Sequence, residues 1–117
     1  MLIGASPVTA REDAGDLEIT GLIIDETISK GGHDFYDVFS NQWRSYGQDW
    51  PNIITIEEKA GIGRGTFVII LIDDSLVFNA MLNPLPDAVS SLARTAADRV
   101  RSIIMNKQET LRELDYY

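Results

Sequence analysis

Four aromatic side chains set the terms on which this chain can fold. Phe35, Phe39, Trp43 and Tyr46, with Val38 among them, recur at the i, i+3, i+4 spacing of a single helix face. So much apolar bulk on one stripe has to be covered, and a chain of 117 residues offers few other places to hide it. The stretch Gly31-Gly32-His33-Asp34-Phe35-Tyr36-Asp37 is therefore expected to open a central helix. Gly31 and Gly32 would supply the turn into it, and Asp34 and Asp37 would serve the orphan N–H groups of its first turn. Gly47, followed by Pro51, marks the expected stop.

The flanking segments read as strands. Leu22, Ile24 and Ile28 share one face of the first, with Ile23, Asp25 and Thr27 on the other. Residues 53–58 alternate around Ile54 and Ile56, forming a second strand. Ala60-Gly61-Ile62-Gly63-Arg64-Gly65 is a glycine-rich loop, and Thr66 to Ile72 is apolar on both faces. Asp73-Asp74-Ser75 fits a tight hairpin into a returning strand, Leu76 to Leu82. In that strand Leu76, Phe78 and Ala80 are expected on one face, with Val77, Asn79 and Met81 on the other. After Pro84-Leu85-Pro86, with Asp87 as cap, Val89, Leu92, Ala93, Ala96, Val100 and Ile103 repeat at helical spacing.

The order β-α-β-β-β-α predicts an α+β domain: a mainly antiparallel sheet of about four strands with two helices on one face. Residues 1–20 are expected as a flexible acidic lead-in, 21–106 as the single domain and 107–117 as a mobile C-terminal tail. Val8-Thr9-Ala10 has the small residues of a signal-peptidase site. Residues 1–10 lack a basic start and a long apolar run, so an intact signal peptide is not expected here.

Composition narrows function by exclusion. A net charge of −8 repels phosphate backbones, so nucleic acid is not an expected partner. No segment is long and apolar enough to predict a membrane span. The chain has no cysteine, which removes thiol chemistry and thiolate metal sites. His33 beside Asp34 is the one arrangement suggesting a base with an orienting carboxylate, but no nucleophile accompanies it, and a structural role is expected. The pairs Asp25-Glu26, Glu57-Glu58 and Asp73-Asp74 read as protective charge at strand edges and turns, not as metal ligands. The loop around Arg64 lacks the Lys-Ser/Thr of a phosphate loop and joins two strands. No cofactor, no metal and no enzymatic activity are expected.

Two features point to partners instead. The apolar strand 66–72 and its hairpin mate are expected to leave a sheet face uncovered, with Phe67, Val68, Ile70, Val77 and Met81 as candidates for an oligomer interface. Half of the ten basic residues, Arg94, Arg99, Arg101, Lys107 and Arg112, lie in the last quarter of the chain. A small-ligand-binding or scaffold domain using the same open face is the alternative.

The residues also carry a resemblance. Gly21-Leu22, Thr27, Gly32-His33-Asp34-Phe35-Tyr36, Phe39-Ser40 and Trp43 resemble the CsgE family of curli assembly and transport components. The likeness continues through Thr55-Ile56, Glu58, Val77-Phe78 and Pro84-Leu85, over roughly residues 18–107. The chain departs at the loop around Arg64, where relatives can carry a tryptophan, and in its acidic, tyrosine-ended tail. The resemblance implies a periplasmic adaptor of amyloid fibre secretion, made with a signal peptide in its precursor. Such an adaptor forms a ring-shaped homo-oligomer, caps the outer-membrane curli pore lipoprotein, binds the unfolded fibre subunit and suppresses premature fibres. On that footing Arg64, Arg94, Arg99, Arg101, Leu111, Leu114, Tyr116 and Tyr117 are candidates for client or pore contact. Gly32, His33, Asp34, Phe35, Tyr36, Phe39 and Trp43 are the structural motif.

Overall fold

A computed structural model describes residues 21–114 apart from positions 49, 62 and 64, with side chains as far as residue 108. The acidic lead-in, Arg64, Tyr116, Tyr117 and the side chains of Leu111 and Leu114 lie outside the described residues. The elements run β1 (Ile23–Glu26), α1 (Lys30–Ser45), β2 (Ile54–Ala60), β3 (Thr66–Ile72), β4 (Ser75–Leu82) and α2 (Pro86–Leu114). Their order is the expected one. The four strands form one sheet in the order β1-β2-β3-β4, mixed rather than purely antiparallel. β1 pairs with β2 in parallel, because a whole helix intervenes, while β2–β3 and β3–β4 are antiparallel hairpin partners.

The aromatic stripe is the core. Phe35 and Phe39 are fully buried and Trp43 nearly so, each ring packed on the next at centroid separations of 6.3 and 5.8 Å. Trp50 meets Trp43 at 5.0 Å. They pack with Ile54 and Ile56 of β2, Val68, Ile70 and Ile72 of β3, and Val89, Ala93, Ala96, Ala97 and Val100 of α2. The alanines let α2 approach α1 closely. Gly47 takes φ +67° just past the end of α1, the left-handed terminator that its position demanded. Asp73 and Asp74 take φ +48° and +73°, the pair of left-handed residues of a type I′ hairpin.

Three expectations need correction. The first turn of α1 begins at Lys30, so Gly31 and Gly32 lie inside the helix instead of ahead of it. Asp34 then lies a turn further in, where it pairs with Lys30 at 2.9 Å rather than serving the N-terminus. The cap is Ser29, whose Oγ accepts from the Gly32 N–H at 3.0 Å. Likewise α2 begins at Pro86, with the Leu85 carbonyl accepting from the Val89 N–H, so Asp87 is in the first turn and not the cap. Finally, α2 continues past Asn106 to Leu114, through residues expected as a tail. Lys107-Gln108-Glu109 and Leu111-Arg112-Glu113-Leu114 are strong helix formers, and propensity carries the backbone on where apolar periodicity has faded.

Candidate functional site

Two places concentrate whatever this fold does beyond folding: a carboxylate clamp at the start of α1 and the sheet surface turned away from the helices. The clamp is built on Glu58, read from sequence as protective edge charge and found only 5% exposed. Alternation along β2 puts Glu58 on the same side as Ile54 and Ile56, facing α1. Its Oε1 accepts from the N–H groups of Ile28 (2.7 Å) and Ser29 (2.8 Å). Its Oε2 accepts from the hydroxyls of Ser29 (2.7 Å) and Thr66 (2.8 Å). Burial works against its ionisation, but these four donors outweigh it and hold the carboxyl at about 2, well below the ordinary 4.5. The negative charge also faces a helix N-terminus, where the backbone dipole favours it.

This explains Gly32 better than a turn does. A Cβ there would lie 2.2 Å from Glu58 Oε1 and 3.0 Å from the Thr27 Cβ. The helix can approach the carboxylate only with no side chain at that position. Next to it, Nδ1 of His33 lies 2.7 Å from the Thr27 hydroxyl, which donates to Asp25 Oδ1, and 3.4 Å from Asp25 Oδ2. Burial opposes the charge on Asp25, yet hydrogen bonds from the Thr27 hydroxyl and N–H, with His33 beside it, keep its carboxyl below the usual range. His33 thus ties the β1–α1 connection together. Of the remaining motif residues, Phe35, Phe39 and Trp43 form the core stripe, and the Tyr36 hydroxyl reaches the Ile23 carbonyl at 3.4 Å.

The open sheet face is real, but its membership differs from expectation. Val68 and Ile70 are fully buried on the helix side of β3, so they offer no interface. The run 66–72 is apolar on both faces, and sequence alone did not say which set the helices would take. Val77 also moves: a bulge between Ile70 and Leu71 pairs Leu71 with Leu76 and turns Val77 toward the core. Phe67 and Met81 do lie on the open side. Across the strands, that side presents three rows: Ile24, Thr55, Leu71 and Leu76; Glu26, Glu57, Ile69 and Asn79; Lys59, Phe67 and Met81. Leu76 is 59% and Met81 64% exposed.

The arginines do not form one patch. Arg94 and Arg99 are exposed on α2, but five residues of helix set them about 140° apart. Arg101 is half-buried with its guanidinium 4.8 Å from the Tyr46 ring centre, and the Tyr46 hydroxyl bonds Asp98. It is engaged in α1–α2 packing.

Among the described residues no group of three or more acidic, histidine or cysteine side chains is placed to hold a metal ion. No described helix is long and apolar enough to cross a membrane. The described residues form a small α+β domain whose sheet leaves Leu76 and Met81 exposed on the side away from the helices.

The chain matches the family described as curli assembly protein CsgE over residues 19–116, and it belongs to that family. It is 36% identical over 72 residues to the curli production assembly/transport component CsgE of Escherichia coli O6:H1 and to that of Escherichia coli O157:H7. With the protein of that name from Salmonella typhi it shares 31% over 70 residues. These alignments cover 60–62% of this chain and 51–54% of the relatives, so the chain spans about half the length of the curated relatives it matches. The family is one of assembly components and not of enzymes. Gly32 and Glu58 were both within the resemblance read from sequence. Their contact was not legible there, since nothing in a linear chain joins positions 26 apart.

Proposed function

We propose that the protein is a non-enzymatic accessory factor of curli secretion, acting in the periplasm as an adaptor for the unfolded fibre subunit. It binds the subunit, delivers it to the outer-membrane curli pore, caps that pore as a ring-shaped homo-oligomer, and holds back premature fibre formation. The observation that carries this reading is membership of the curli assembly family across nearly the whole described domain. The open face of β3 and β4 supports it, being an apolar surface on a chain of net charge −8. Weak contacts at many sites suit a client that must stay unfolded, and confinement keeps one client from meeting another.

The test combines light scattering across protein concentration with fibre-formation kinetics of the unfolded curli subunit. The expected result is a discrete large oligomer and a lengthened lag at substoichiometric protein. A strict monomer that leaves the lag unchanged overturns the adaptor reading and favours a small-ligand-binding domain.

A further inference from the structure

We infer that the free edge of β4 is a strand-addition site, which takes an extended, uncharged segment of another polypeptide. This rests on the client-binding reading above and names where the client's backbone would dock.

The edge is identified by its hydrogen bonds. Across β2 and β3 the Gly61 N–H donates to the Gly65 carbonyl at 3.0 Å, and the Asp73 N–H to the Ile53 carbonyl at 2.8 Å. Antiparallel ladders alternate, so the odd-numbered residues of β3 bond β2 and the even-numbered ones bond β4. Phe78, Ala80 and Leu82 of β4 are opposite Ile70, Val68 and Thr66, and direct their backbone groups inward. Asn79 and Met81 therefore direct theirs outward, and among the described residues no strand pairs with that side.

Folded proteins usually guard such an edge with charge, proline or brevity. At the other end of the sheet, β1 is four residues long and carries Asp25 and Glu26. β4 runs eight residues, Ser75-Leu76-Val77-Phe78-Asn79-Ala80-Met81-Leu82, without a charge or a proline. Hollows border both ends of it. One of about 330 Å³ is lined by Pro51, Ile72, Ser75, Val77, Ile103 and Lys107. The other, about 560 Å³, is lined by Gly65, Met81, Leu82, Asn83 and Pro84. Strand addition takes affinity from the main chain and selectivity from hollows that receive side chains, and β4 offers both. A strand without charge selects an uncharged segment, because a charged one would give up hydration beside β4 with no opposite charge on the strand to pair with. An uncharged amyloid-forming segment meets no such barrier.

The test is amide hydrogen exchange on the full chain, with and without freshly released monomeric curli subunit. Asn79 and Met81 are expected to exchange freely alone and at least tenfold more slowly with subunit bound, while Phe78 and Ala80 are protected throughout. Asn79→Pro removes one outward N–H, leaves the β3 ladder intact, and is expected to weaken subunit binding at least tenfold. Asn79→Ala is expected to bind normally, since the contact is backbone. Subunit binding without added protection at 79 and 81 overturns the site and leaves the adaptor reading standing. Protection that grows with protein concentration alone overturns the occupant in favour of a second copy. No subunit binding at all overturns both. Should the proline variant unfold, exchange on the unaltered chain decides.

Discussion

Replacing Gly32 by alanine is expected to cost about 3 to 4 kcal/mol, far above an ordinary helix substitution. Propensity alone predicts the reverse, because alanine within a helix is worth roughly 1 kcal/mol over glycine. The cost comes from the methyl group, which would lie 2.2 Å from Glu58 Oε1. A carboxylate on a surface would swing aside. Glu58 is held by four donors and buried, so moving it strands the Ile28 and Ser29 N–H groups without partners. Thermal unfolding should show a midpoint roughly 15 to 20 °C lower for a domain of this size. A double-mutant cycle isolates the cause. With Glu58→Ala already present, most of the Gly32→Ala cost should disappear, the Thr27 Cβ at 3.0 Å leaving a remainder, giving a coupling above about 2 kcal/mol. Equal costs in both backgrounds would mean that the glycine is needed for something other than the clamp.

The second large effect is a pH profile. Glu58 ionises at about 2 in the folded chain against an ordinary 4.5, so its folded-state value is depressed. Its contribution is then fully present above about pH 4.5 and is lost as pH falls toward 2. That contribution is about 3 kcal/mol. Glu58→Gln should be less stable than the parent by about this amount at pH 7, and the two should converge as pH approaches 2. Chemical denaturation at several pH values reads both quantities. If the difference between parent and variant is the same at pH 3 as at pH 7, the charge on Glu58 is not what stabilises the β1–α1 connection.

Much of this architecture was legible in the residues, for identifiable reasons. The aromatic stripe on α1, the left-handed residues at Gly47 and Asp73-Asp74, and the small-residue face of α2 are local signals. The chain's neighbours in sequence decide each of them. What was not legible depends on neighbours in space. Edge protection was the natural reading of Glu57-Glu58 until β2 turned Glu58 toward a helix N-terminus. The run 66–72 is apolar on both faces, so only the covering helices decide that Val68 and Ile70 are core while Phe67 is not. Val77 changed sides through a one-residue bulge, which alternation cannot foresee. Arg101 looked like a free cation because the Tyr46 ring it lies over is 55 positions away.

The parallel pairing of β1 with β2 has a consequence for the route by which the chain folds. β2, β3 and β4 are joined by short connections, so their ladders can close soon after collapse and at little entropic cost. Among the described residues β1 has no such neighbour, and its four rungs with β2 form only after a loop holding all of α1 has closed. The sheet is thus a fast meander to which a late strand is added, and the Glu58 hydrogen bonds to Ile28 and Ser29 are the stitch that fastens it. A chain caught before that stitch is made presents bare strand edges on both sides of the meander. A protein proposed to keep amyloid subunits apart would itself be most prone to aggregate in that interval.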